Sequence, residues 1–200
     1  MVSNYIPELG EGEFVANLKI EHLLNHTSGF KYTLRSDADL YYGNDVLKAV
    51  KYASFEHPPG THQHYLNINV QLLGLILHRS TGISPSEYLQ EKIWKKIGAC
   101  QEARWSRDTK GNDRTFCCLG ATSLDYAKFG RLFLNKGNWE GRQVVPKDWF
   151  EASIERDSTS GSSFNYNYCW HIGLKEYGDF MAIGLYKQHI YINPKKNLII

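Results

Sequence analysis

Eight histidines and four cysteines are the side chains of this sequence whose types first suggest metal or nucleophile chemistry. His62 and His64 have strand spacing and could share a face, but no third ligand accompanies them. They read as loop residues flanking Tyr65. His22 and His26 stand four apart, a helical spacing. Cys100, Cys117, Cys118 and Cys169 make no metal pattern, because Cys117 and Cys118 lack the two-residue gap that lets a pair converge on one zinc. No activating surroundings mark any of these thiols as a nucleophile, so all four are expected to be small buried hydrophobes. Tyr65 and Asn67 stand at the mouth of an apolar run. On local sequence alone Asn67 reads as the cap of the helix that follows.

The elements that must position these residues are legible in the hydrophobic periods. Asn69 to Arg79 is apolar nearly all round, through Val70, Leu72, Leu73, Leu75, Ile76 and Leu77, and predicts a buried helix ending at Thr81-Gly82. Ser84, Pro85 and Glu87 form a capping-box start for the next helix. Its inner face is Tyr88, Leu89, Ile93, Trp94 and Ile97, and Gly98 ends it. Ser123 is expected to cap a helix carrying Tyr126, Phe129, Leu132 and Phe133, closed at Asn135-Lys-Gly137. Pro146 opens a short helix through Trp149 and Phe150. The polar stretch Asp157–Ser163 reads as one loop. Beyond it the period becomes that of strands: Tyr166 to Ile172, Phe180 to Leu185, Gln188 to Ile192 and Leu198 to Ile200, with Asn193–Asn197 as a turn.

Composition narrows the function classes. With 23 basic and 21 acidic residues in 200 and no long run of either sign, the chain lacks the basic stripe of a nucleic-acid binder. No apolar stretch approaches the ~20 residues of a membrane span, and Met1–Pro7 has neither the basic nor the apolar region of a signal peptide. Five Trp, 13 Tyr and 9 Phe argue against disorder.

Five segments in series resemble one family, the serine β-lactamase-related hydrolases, which include class C β-lactamases, D-alanyl-D-alanine peptidases, esterases and 6-aminohexanoate-oligomer hydrolases. They are His22-Leu-Leu-Asn-His-Thr-Ser-Gly29; Pro58-Pro-Gly-Thr61 followed by Tyr65-Leu-Asn67 and Leu72-Leu-Gly-Leu-Ile76; Gly120 through Leu134; Trp139 to Trp149; and the ending Ile183 to Pro194. The resemblance implies an α+β fold of the β-lactamase/penicillin-binding-protein type, an antiparallel sheet with helices beside a helical lobe. It implies one domain over 1–200, incomplete at both ends, with about 1–150 mostly helical and about 164–200 forming strands.

The implied chemistry is hydrolysis of a small-molecule amide or ester through an acyl-serine, without a cofactor or metal. A serine hydroxyl is a weak nucleophile and needs a base; in the family this is the lysine of Ser-x-x-Lys, one helical turn on. Tyr65 maps to the tyrosine that relays the proton to the leaving group, and Asn67 to the residue that binds the substrate carbonyl and orients the lysine. Backbone N–H groups, one of them near the last motif, would hold the oxyanion. Gly184 and Gln188 fit that motif, and Trp170 maps to an aromatic often near the substrate. Lys187 stands where amide-hydrolysing members carry glycine. His22 and His26 map to positions where a buried imidazole bonds backbone.

Ser-x-x-Lys itself occurs once, as Ser28-Gly-Phe-Lys31, in the position of a structural loop and with a glycine that breaks any helix. The family's nucleophile helix would precede Val2, so the expectation is a truncated hydrolase, inactive alone. Two alternatives remain at this level, a non-catalytic ligand-binding module and a truncated product with no function of its own. Members of the family are often exported, but the compartment of this chain stays open.

Overall fold

The structure, a computed structural model, describes residues 1–159 and 161–200. Position 160, in the predicted 157–163 loop, lies outside the described residues. The chain divides into two compact units. The first is Met1–Tyr88, Arg104–Leu119 and Thr159–Ser162; the second is Leu89–Ala103, Gly120–Ser158 and Ser163–Ile200.

The first unit is built from helices α1 (Glu13–Asn17), α2 (Ile20–Leu24), α3 (Leu34–Tyr42), α4 (Val46–Lys51), α5 (Asn67–Thr81) and α6 (Pro85–Leu89). Its core gathers Val2, Ile6, Leu18, Leu23, Phe30, Leu40, Val46, Leu72, Leu75 and Ile76. Helix α5 is the central strut, and Gly82 ends it in the left-handed conformation with its N–H on the His78 carbonyl. Its buried face also carries two polar residues that periodicity does not mark, Asn69 and Gln71. Gln71 donates from Nε2 to the Asp113 carbonyl at 3.0 Å. The predicted capping box is present: Glu87 N–H donates to Ser84 Oγ, and Ser84 N–H to Glu87 Oε2 at 3.0 Å.

In the second unit Gln90–Trp94 continues the chain as a π-helical turn. Helix α7 (Ser123–Leu134) is capped by Thr122, one residue before the expected Ser123, because Asp125 N–H reaches the Thr122 hydroxyl. Asp125 explains the choice. Its buried carboxylate accepts from the Thr122 hydroxyl and from the Cys100 and Gln101 N–H groups, and these bonds hold it below the usual carboxylate range. Helix α8 (Lys147–Ile154) follows Pro146, as predicted.

The sheet of this unit is antiparallel throughout, in the order β1 (Tyr166–Asn167), β2 (Trp170–Ile172), β3 (Phe180–Ile183), β4 (His189–Asn193), β5 (Leu198–Ile199). Register pairs Phe180 with Ile192 and Ala182 with Ile190, which puts one apolar face against α7. The core here is Trp94, Ile97, Leu132, Phe133, Trp139, Val145, Phe150, Trp170, Phe180 and Ile192.

Two expectations are corrected. The span 166–172 is a hairpin and not a single strand, because Tyr168 and Cys169 take φ of 42° and 68° and reverse the chain in two residues. The cysteines are not four buried thiols. Cys117 and Cys118 are joined as a disulfide between neighbours, Cys100 is exposed, and Cys169 is half-buried.

Candidate active site

Tyr65 and Asn67 are set by a clasp between two loops of the first unit. The loop after α2 turns at Gly29, where φ is +77° and a Cβ would stand 2.0 Å from the His57 carbonyl oxygen, so only glycine fits. That approach lets Glu56 N–H donate to Gly29 O at 2.8 Å, Gly60 N–H to Thr27 O at 2.7 Å and His64 N–H to His26 O at 2.8 Å. Residues 56–64 are thereby laid along residues 26–29, and the chain is delivered to the start of α5.

Tyr65 is half exposed, with its ring face on His26 at 4.1 Å between centroids and 16° between planes. Leu66 N–H donates to His26 Nδ1 at 3.0 Å. Asn67 is the first residue of α5, with Leu66 in the cap position, so it does not cap the helix as local sequence suggested. Its Nδ2 instead donates to both oxygens of the Asp37 carboxylate, each at 3.3 Å. Beside this pair lies a shallow pocket walled by Phe30, Tyr32, Asp37, Tyr52 and Leu66. A half-exposed phenol and, two residues on, an amide fixed by a carboxylate are groups that can transfer a proton and orient a carbonyl compound.

Ser28 and Lys31 do not form a nucleophile–base pair on a helix face. Ser28 is buried with its Oγ accepting from Phe30 N–H, Lys31 is exposed, and the residues between them are not helical. His62 and His64 are exposed, and His62 packs its ring on His57 at 4.7 Å. His22 is partly buried beside Gly60, and that burial holds its imidazole below the ordinary histidine value. Among the described residues no cluster of His, Cys, Asp and Glu could hold a metal ion, and no helix is long and apolar enough to cross a membrane.

In the second unit Gly184 and Gln188 meet in the turn between β3 and β4. Gly184 N–H donates to Gln188 O at 2.8 Å, and Tyr186 N–H to Gln188 Oε1 at 3.0 Å. A Cβ at 184 would lie 2.4 Å from that same Oε1, so the glycine makes room for the glutamine side chain that closes the turn. Leu185 and Tyr186 project into solvent. Trp170 is in the core, edge-on to Phe180 at 5.1 Å and packed on Phe133 at 4.8 Å. Both contacts pack the sheet.

Sequence reasoning gave Asp37 no role and read His26 only as a backbone-bonding histidine. Their partners lie 30 and about 40 residues away, beyond any local spacing.

Comparison with known proteins bears on the family and the fold. The family model described as Beta-lactamase matches residues 1–200. The chain is 26% identical over 146 residues to the 6-aminohexanoate-dimer hydrolase of Paenarthrobacter ureafaciens, covering 68% of this chain and 37% of that protein. A solved structure from Bacillus anthracis, described as a candidate 6-aminohexanoate-dimer hydrolase, superposes with a TM-score of 0.86 at 27% identity, over 99% of this chain and 58% of that one. A class C β-lactamase shares the fold at a TM-score of 0.68 and 17% identity, over 98% of this chain and 66% of its own. The chain thus spans little more than a third of the curated relative's length.

Proposed function

The chain belongs to the β-lactamase family of serine hydrolases, and from that premise we propose that residues 1–200 supply the proton-transfer and substrate-positioning part of an amide or ester hydrolase working through an acyl-serine. One observation carries the reading: Tyr65 and Asn67 stand together at the start of α5, each held by a side chain from elsewhere, His26 and Asp37.

In the reaction a serine oxygen adds to the substrate carbonyl, the bond to nitrogen or oxygen of the leaving group breaks, and water later releases the acid and frees the serine. Tyr65 takes the proton surrendered in the first step and hands it to the leaving group. Its half exposure keeps the phenol reachable from solvent. Asn67, its amide fixed by Asp37, holds the substrate carbonyl in register. The similarity to an amide hydrolase favours an amide over an ester.

The nucleophile is assigned to residues outside these 200, since Ser28 and Lys31 alone match Ser-x-x-Lys and do not share a helix. Residues 1–200 by themselves are therefore expected to show no mass increase with a fluorophosphonate or a penicillin. An adduct lost in Ser28→Ala, or one that survives it, would each place a nucleophile inside the chain and overturn that assignment. In any longer polypeptide joining these residues to a Ser-x-x-Lys helix, Tyr65→Phe should lower kcat by about 10²–10⁴-fold. An unchanged kcat would remove Tyr65 from the chemistry.

A further inference from the structure

We infer that His26 is a positioning residue for Tyr65, gripping three consecutive residues with three different groups of its own. This rests on the reading of Tyr65 as the proton-transfer group. The His26 carbonyl accepts from His64 N–H at 2.8 Å, its ring face stacks on Tyr65, and its Nδ1 accepts from Leu66 N–H at 3.0 Å. The residue before the tyrosine, the tyrosine itself and the residue after it are all fixed from one side chain and its own backbone.

The imidazole is well suited to this. It is 1% exposed, so its orientation is set by protein contacts. An N–H donor at Nδ1 requires a lone pair there, which puts the proton of the neutral ring on Nε2. Asn69, fully buried in α5, brings its Nδ2 to 3.2 Å from the same Nδ1. The ring is held along one edge by bonds from Leu66 and Asn69, and one of its faces lies nearly parallel on Tyr65. Stacking of this kind favours one orientation of an aromatic ring. The backbone records the same demand, because His26 sits at φ +54°, a left-handed conformation that non-glycine residues keep only where surroundings enforce it. A half-exposed tyrosine with no such partner would sample several rotamers, and proton transfer needs its oxygen in one place.

The test uses the 200-residue chain and His26→Asn. Asparagine tolerates the left-handed backbone and keeps an acceptor near the place of Nδ1, but it has no ring face. Tyr65 ring protons, identified by their loss in Tyr65→Phe, are expected to lie upfield in the wild type and to move to ordinary tyrosine positions in His26→Asn. Nitration of Tyr65 by tetranitromethane, measured well below the unfolding midpoint of each protein, should become several-fold faster. A folded His26→Asn with unchanged Tyr65 shifts and nitration would overturn the inference. Should the variant not fold, the wild type decides, since stacking requires nuclear Overhauser contacts between the His26 and Tyr65 rings and their absence would overturn it equally. A fluorophosphonate adduct on Ser28 would sink the functional reading and leave these ring contacts untouched, so the two failures are distinguishable.

Discussion

Asn67 Nδ2 stands 3.3 Å from each carboxylate oxygen of Asp37, which ties the first residue of α5 to the first turn of α3 across 30 residues of chain. The contact is partly exposed, so its loss should be modest. Asp37→Ala is expected to cost about 1 kcal/mol. Asn67→Asp should cost more at neutral pH, because it sets two carboxylates face to face, and most of the excess should vanish once acid protonates either one. Urea unfolding at pH 7 should rank wild type above Asp37→Ala and Asp37→Ala above Asn67→Asp. An Asn67→Asp chain as stable as the wild type would refute the contact.

Local chemistry was readable wherever the partner lay within a turn. Ser84 and Glu87 cap each other three residues apart, and Gly82 and Pro146 mark ends that need no distant help. The failures have physical causes. The hairpin inside 166–172 turns on Tyr168 and Cys169, which bear none of the glycine or asparagine that usually announces a left-handed pair. Thr122 and Ser123 are both competent caps, and only the burial of Asp125 decides between them. Of the site, Tyr65 and Asn67 could be picked out through a resemblance. Asp37 and the stacking face of His26 depend on tertiary contacts with no sequence period.

Lys187 occupies the turn between Gly184 and Gln188 at φ +64°. A side chain with a Cβ is strained there by about 1 kcal/mol, while glycine loses part of that gain through its more flexible unfolded chain. Lys187→Gly should therefore match or slightly exceed wild-type stability, and Lys187→Val should fall below it by about 1–2 kcal/mol. Chemical denaturation of the three proteins reads this directly. If the valine variant were the most stable, the left-handed turn would be wrong.

Asp108 gives the chain an acid-sensitive latch. Burial pushes its carboxyl up, but bonds from the Asn112 side chain and from the Val46, Asn112 and Lys110 N–H groups outweigh that and hold it below its ordinary value of 3.8. A carboxyl lowered on folding stabilises the native state fully above its unfolded value and loses that contribution as pH falls through the folded one. Asp108→Asn should cost about 2 kcal/mol at pH 7. The gap between the two proteins should narrow below about pH 4. Stability curves for both from pH 7 to pH 3 test it, and a gap that widened on acidification would contradict the assignment.

The cysteines make the last prediction. Cys117 and Cys118 are joined, leaving Cys100 exposed and Cys169 half-buried as the free thiols. Burial pushes the Cys169 thiol up to about 11, so almost none of it is thiolate at neutral or mildly alkaline pH. Iodoacetamide on the native chain at pH 8 should therefore modify Cys100 well before Cys169. After denaturation without a reductant the label should reach those two thiols and stop. After denaturation with a reductant, Cys117 and Cys118 should also take it up. Peptide mass mapping reads each site separately, and labelling of Cys117 or Cys118 before reduction would exclude the bond between them.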